Sequence, residues 1–237
     1  MSPPTTKLLA GFLALSMSVS LIEYPAEGQR AGVDVGPTPF GFMPDLEYGD
    51  EAVRLMHAFT TCLSVYRRNT ARLFAAEPGS ARAGRMGRAI IRPSCVRPGA
   101  LRFNHILLRG GLYEAAYERE FRNAPPASFD RLPRLDYPWS GAGVPNEVRA
   151  RNLAAFRFSE CVVRSSPAQA RALLETEVTS PEERRVFQSM AGSLSACLSD
   201  RLTVRFTRPV LRGLVAEALY RLSAAASLRP ADGSARR

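Results

Sequence analysis

Residues 102–117 read RFNHILLRGGLYEAAY, and residues 205–220 read RFTRPVLRGLVAEALY. Laid over one another without gaps, Arg102, Phe103, Leu108, Arg109, Gly110, Glu114, Ala115 and Tyr117 meet identical residues. Eight identities in sixteen positions compare with roughly one expected from average residue usage. Two cysteines precede each copy, Cys62 and Cys95 before the first and Cys161 and Cys197 before the second. The pattern reads as an internal duplication. It predicts an all-α fold of two similar four-helix units, each with one disulfide, packed as a pseudo-twofold pair. The period of about 100 residues is too long for a tetratricopeptide or another short solenoid.

The segments around the repeat follow from local chemistry. Residues 1–20 have a basic Lys7 and most of the apolar run LLAGFLALSMSVSLI (Leu8 to Ile22), with Ser18-Val19-Ser20 as small residues for signal peptidase. They read as an export signal, with a cut possible as late as Ala26 and an uncleaved anchor as the runner-up. The run is short for a membrane span, so no transmembrane segment is expected once the signal is removed. Residues 27–49, rich in Gly, Pro and aromatics, read as an extended arm packed across the domain surface. Residues 50–122 form the first unit, 123–145 a Pro-rich linker with Trp139, 146–226 the second unit and 227–237 a polar tail.

Within the units, helix signals recur. Asp50 is the expected N-cap of a first helix whose apolar residues Ala52, Leu55, Met56, Phe59, Cys62 and Leu63 recur three and four apart. A short helix is expected near 71–76, and a third from Ser80 to about Arg92. Asn104 caps the fourth, with Phe103 and Leu108 at hydrophobic-staple spacing. In the second unit a helix is expected to start at Asn146 or a neighbour, and a short one follows Ser166-Pro167. Ser180-Pro181-Glu182-Glu183 opens a helix expected to reach about Leu198, and Thr207 caps the last.

Four cysteines permit three pairings. A bridge present in one ancestral unit would close within it, which favours Cys62–Cys95 and Cys161–Cys197. No C-x-x-C knuckle supports zinc, and export implies an oxidising compartment in which bridges persist.

Signatures of catalysis are missing. The sequence has no G-x-S-x-G elbow, P-loop or H-E-x-x-H. Its two histidines, His57 and His105, match Phe156 and Arg208 in the second copy. What recurs is a set of eight residues: Arg109, Gly110, Glu114, Tyr117, and Arg212, Gly213, Glu217, Tyr220. Arg and Glu are five apart, so they do not share a helix face and each needs a partner elsewhere. Glu114 can touch Tyr117, as Glu217 can touch Tyr220. Glycine inside a helix costs about 1 kcal/mol relative to alanine, and its recurrence implies close approach of another helix. The set therefore reads as structural, with a polar-ligand site between the units as the alternative.

The composition is 46% apolar, ample for a core. The net charge is +10, and Lys7 is the single lysine among 32 basic residues. The arginines are spread along the chain, so a compositional preference accounts for them without a ligand. The function expected is that of an exported, non-catalytic binding protein, periplasmic or extracellular, with no cofactor or metal and with a protein or envelope component as partner. An enzyme with a site between the units is the first alternative. An arginine-mediated binder of anionic polymer or membrane surface is the second, with nucleic acid the least favoured partner.

Overall fold

The structure is a computed structural model and describes residues 33–34, 49–96, 101–102, 105–124, 128–137, 139, 144–198 and 206–228. The expected export signal, most of the expected arm, the expected staple and cap at Phe103 and Asn104, and the end of the tail lie outside these residues.

The described residues form an all-helical fold. Its helices are α1 (Asp50–Leu63), α2 (Arg67–Phe74), α3 (Ala81–Ile90), α4 (His105–Phe121), α5 (Asn146–Ser165), α6 (Pro167–Glu175), α7 (Pro181–Ser189), α8 (Ala191–Cys197) and α9 (Arg208–Ser227). A 3-10 turn at Pro93–Cys95 follows α3. A two-residue parallel pairing joins Val33–Asp34 to Leu101–Arg102.

The helix starts show which local signals win. Ser80 and Ser180 each accept a hydrogen bond from the backbone N–H three residues on, Ala83 and Glu183, both at 3.0 Å. These bonds satisfy donors that a helix start otherwise leaves open. Asp50 is not a cap. Gly49 holds that position, no side chain caps α1, and Asp50 sits in the first turn, where its charge suits the helix dipole. Thr207 precedes α9 in the right conformation, yet its buried hydroxyl makes no capping bond. The helix expected over 180–198 is divided by a tight turn at Met190, whose N–H reaches back to Val186 and Phe187. Weak helix formers flank it, Ser189 before and Gly192 and Ser193 after, and the Met190 side chain is fully buried.

Burial identifies the centre. Helix α4 is buried on all sides from His105 to Tyr117 except for half-buried Gly111, and α9 is buried continuously from Arg212 to Leu219. A helix buried all round must lie inside the layers that surround it. Two apolar clusters result, and both draw on α4 and α9. One gathers Phe59, Leu63, Leu73, Ile90, Leu108 and Phe156 around Leu112 and Leu214. The other gathers Val162, Leu173, Met190 and Val215 around Tyr113 and Leu219. From the linker, Leu135 packs against both clusters. Trp139 meets Phe156 edge-on at 5.2 Å.

The bridges are Cys62–Cys95 and Cys161–Cys197, with Cα atoms 5.6 and 5.8 Å apart. The first ties α1 to the turn after α3, and the second ties α5 to the end of α8. Two such bridges fit an oxidising, exported setting. No helix among the described residues is long and apolar enough to cross a membrane.

Candidate functional site

The recurring glycines meet. A Cβ built on Gly110 would stand 2.5 Å from Gly213 Cα, and one on Gly213 would stand 2.9 Å from Gly110 Cα. Helices α4 and α9 therefore cross backbone to backbone at this point, where no side chain fits.

On either side of that contact, the two arginines and two glutamates of the repeat exchange partners. Arg109 on α4 donates through Nε and Nη2 to Glu217 on α9, at 2.7 and 2.8 Å. Arg212 on α9 donates through Nη2 and Nε to Oε1 of Glu114 on α4, at 2.6 and 3.0 Å. The remaining donors take carbonyls at helix ends. Arg109 binds the carbonyls of Leu73, Phe74 and Ala76 at the end of α2. Arg212 binds those of Leu174 and Thr176 at the end of α6, and the Thr176 hydroxyl. Cations belong there, because the last carbonyls of a helix lack donors and carry the negative end of its dipole.

All four residues are at most 3% exposed. Burial alone would disfavour each charge, and the partners override it. Glu217 holds the Arg109 cation against desolvation, and Arg109 with Arg221 holds Glu217 below the usual carboxylate range. Glu114 is likewise lowered against its burial, by Arg212 first and then His57. Glu183 joins the set. Its Oε1 accepts from Arg212 at 2.9 Å and its Oε2 from the Thr179 N–H at 2.9 Å. The tyrosines do not bind the glutamates three residues before them. The Tyr220 hydroxyl donates to Glu120 at 2.8 Å, and Tyr117 packs beside Phe121.

The loops that feed these arginines match as well. Gly79 and Thr179, each immediately before its capping serine, have φ of +84° and +66°. Threonine rarely adopts that conformation, and in both loops the serine N–H returns to the glutamate carbonyl three residues back.

One side of the crossing opens to solvent. His57 Nε2 lies 3.1 Å from Glu114 Oε1, and its side chain is 30% exposed. A cleft of about 210 Å³ lies beside it, lined by His57, Glu118, Arg122, Glu175, Thr176 and Glu177. The hydrogen bond to Glu114 raises the His57 pKa against its partial burial. Burial, and then the Glu114 charge, raise Glu118. His57, Glu114 and Glu118 place one ligand atom each within 4.8 Å of one another, spacing that can hold a cation. Such a cation would have to share Glu114 with the Arg212 guanidinium. At the corresponding acid, Glu217, the neighbour is Arg221 at 2.9 Å rather than histidine.

His105 lies elsewhere. It is 5% exposed, its Nε2 has no hydrogen-bond partner, and burial followed by the charge of Arg109 lowers its pKa to about 4.

The sequence gives no sign of three further polar anchors. Glu160 accepts from the Leu135 N–H, and Arg164 binds Glu160 and the carbonyls of Phe129, Leu132 and Pro133, so together they hold the linker. Asn152 donates to the Pro78 carbonyl at 3.0 Å. Only Glu183 carries a readable cue, its place three residues after a capping serine. No protein-family model, curated protein or solved structure matches the chain.

Proposed function

We propose that the chain is an exported, non-catalytic binding protein, held rigid by a duplicated helical frame, whose partner is a protein or another component of the cell envelope. The observation that carries this reading is the fate of the recurring charges. Arg109, Glu114, Arg212 and Glu217 are buried and engaged with one another and with backbone carbonyls, so they hold α4 against α9 rather than face a substrate.

The duplication and its pseudo-twofold belong to the same proposal. In support, equivalent residues meet across the α4–α9 contact: glycine meets glycine, and each arginine takes the other copy's glutamate. Reciprocity of this kind is the mark of an isologous contact. In an experimental structure, a rotation far from 180° between residues 50–122 and 146–226 would remove it.

Cross-linking of the exported protein in its own cell extract, split into envelope and soluble fractions, tests the function. Adducts concentrated in the envelope fraction are expected. Adducts spread evenly over both fractions would count against the reading.

A further inference from the structure

Arginines are scattered over the whole chain, but acids are not. Residues 52–113 carry eleven arginines and one acid, Glu77, a balance of +10 that equals the net charge of the entire protein. The remaining residues are neutral in sum.

Several of the eleven are engaged. Arg109 is in the buried exchange, Arg54 donates to Thr179, and Arg92 donates to the carbonyls of Ala89 and Ile91. Arg67, Arg68 and Arg72 on α2 and Arg82, Arg85 and Arg88 on α3 are exposed. Among the described residues none of these six has an acid within ion-pairing distance. Glu120 feels Arg67 at longer range, but Arg119 and Tyr220 already hold it. Glu77 is buried and ion-paired with Arg149.

The six lie on outward faces. Helix α2 buries Thr70 and Leu73, and α3 buries Ala83, Gly87 and Ile90. With 3.6 residues per turn, Arg68 and Arg72 fall opposite the first pair. Arg85 falls opposite the second set, with Arg82 and Arg88 to either side. The Arg92 guanidinium lies 5.1 Å over the Tyr66 ring, which sets the end of α3 beside the start of α2. At that corner Val65 is 69% exposed and Tyr66 37% exposed, immediately before Arg67 and Arg68.

We propose that this α2–α3 face, with Val65 and Tyr66 at its edge, docks onto an anionic phospholipid surface. The proposal rests on the reading of the chain as an envelope-binding protein and names its partner. Guanidinium groups match phosphate through paired hydrogen bonds. Apolar and tyrosine side chains beside them suit the boundary between headgroups and acyl chains. A nucleic acid would use the charges, but its backbone offers Val65 nothing to pack against.

The test is co-sedimentation of the full exported protein with phosphatidylcholine vesicles, with and without phosphatidylglycerol. Binding is expected only with phosphatidylglycerol and should weaken with added salt. Each arginine near an anionic leaflet contributes roughly fivefold in partitioning. The triple variant Arg82→Gln, Arg85→Gln, Arg88→Gln should therefore bind about a hundredfold more weakly, with an unchanged melting temperature because the three positions are exposed. Wild type and variant share the same N-terminal segment, so the difference belongs to the helix face. Arg184→Gln with Arg185→Gln, exposed arginines of the other half, should leave binding unchanged.

Equal binding by triple variant and wild type overturns the proposal, as does tighter binding to duplex DNA than to vesicles at the same salt. Absence of vesicle binding together with envelope-protein adducts removes the lipid partner and leaves the underlying reading intact. Absence of both removes both.

Discussion

Replacing Gly110 with alanine tests the frame most directly. The new Cβ would stand 2.5 Å from Gly213 Cα and 3.2 Å from Gly213 C, both backbone atoms of a buried helix. Carbon atoms in contact settle near 3.5–4.0 Å, so α4 and α9 must part by about 1 Å. That movement would stretch the Arg109–Glu217 and Arg212–Glu114 hydrogen bonds, now 2.6–3.1 Å long. Overpacking of this kind costs about 1–3 kcal/mol, and a buried ion pair that gives way adds up to about 3–5. Alanine's better helix propensity offsets about 1 kcal/mol. The net expectation is a loss of about 2–4 kcal/mol, read from urea denaturation followed by circular dichroism. Gly213→Ala should cost less, because its Cβ starts 2.9 Å away. Gly84→Ala supplies the opposite sign. Its Cβ would meet only the Arg88 guanidinium, at 3.6 Å, so it should stabilise by about 0.5–1 kcal/mol. If Gly110→Ala matched or exceeded wild-type stability, the backbone contact would not be the constraint described.

Four further outcomes are expected. Glu217→Gln leaves the Arg109 cation buried without its partner and should cost about 3–5 kcal/mol, whereas Glu182→Gln, whose partner pair is exposed, should change stability by less than about 1; thermal melts separate the two. His105 gives an acid limb: its pKa is depressed from 6.5 to about 4, so its contribution is complete above 6.5 and is lost as pH falls toward 4. That loss amounts to about 3 kcal/mol, and His105→Leu should abolish this part of the pH dependence of the urea midpoint. The opposite slope comes from the cleft. The raised His57 contributes stability that is lost as pH rises through its folded value, and the raised Glu118 opposes the fold once it ionises, so Glu118→Gln should flatten the fall of the midpoint as pH rises above the ordinary carboxylate range. Reduction of either bridge, which closes separations of 33 and 36 residues, should cost about 3–4 kcal/mol; unchanged melting in reductant would refute this.

Much of the frame is visible in the residues themselves. The cysteine pairing follows from the repeat, because the bridges respect its boundaries. Ser80 and Ser180 announce helices because a short hydroxyl satisfies an open N–H whatever lies around it. Where tertiary packing decides, the residues are silent. Asp50 is a good cap by type, yet Gly49 takes the cap position and α1 begins at Asp50 itself. The turn at Met190 has no proline to mark it. The spacing of Arg109 and Glu114 shows only that they cannot pair on one helix. Their true partners, 108 and 98 residues away, become visible once α4 and α9 cross. The basic face is hidden for another reason: arginines are everywhere, and only the missing acids of residues 52–113 reveal it.

The exchange of arginine and glutamate across α4 and α9 also bears on how such a chain could arise. Each half makes its shortest buried ion pair with the other, Arg109 with Glu217 and Arg212 with Glu114. Taken alone, residues 50–122 would bury Arg109 without Glu217 and leave Glu114 with His57 in place of the Arg212 guanidinium. On the duplication proposed above, a single ancestral unit would have gained its shortest buried ion pairs from a second copy of itself. Its natural form would have been a homodimer. The linker then turned an encounter between two molecules into a concentration-independent event within one, leaving each half free to diverge: the first gathered arginines with a single acid among them over residues 52–113, while the second kept acids interspersed among its arginines.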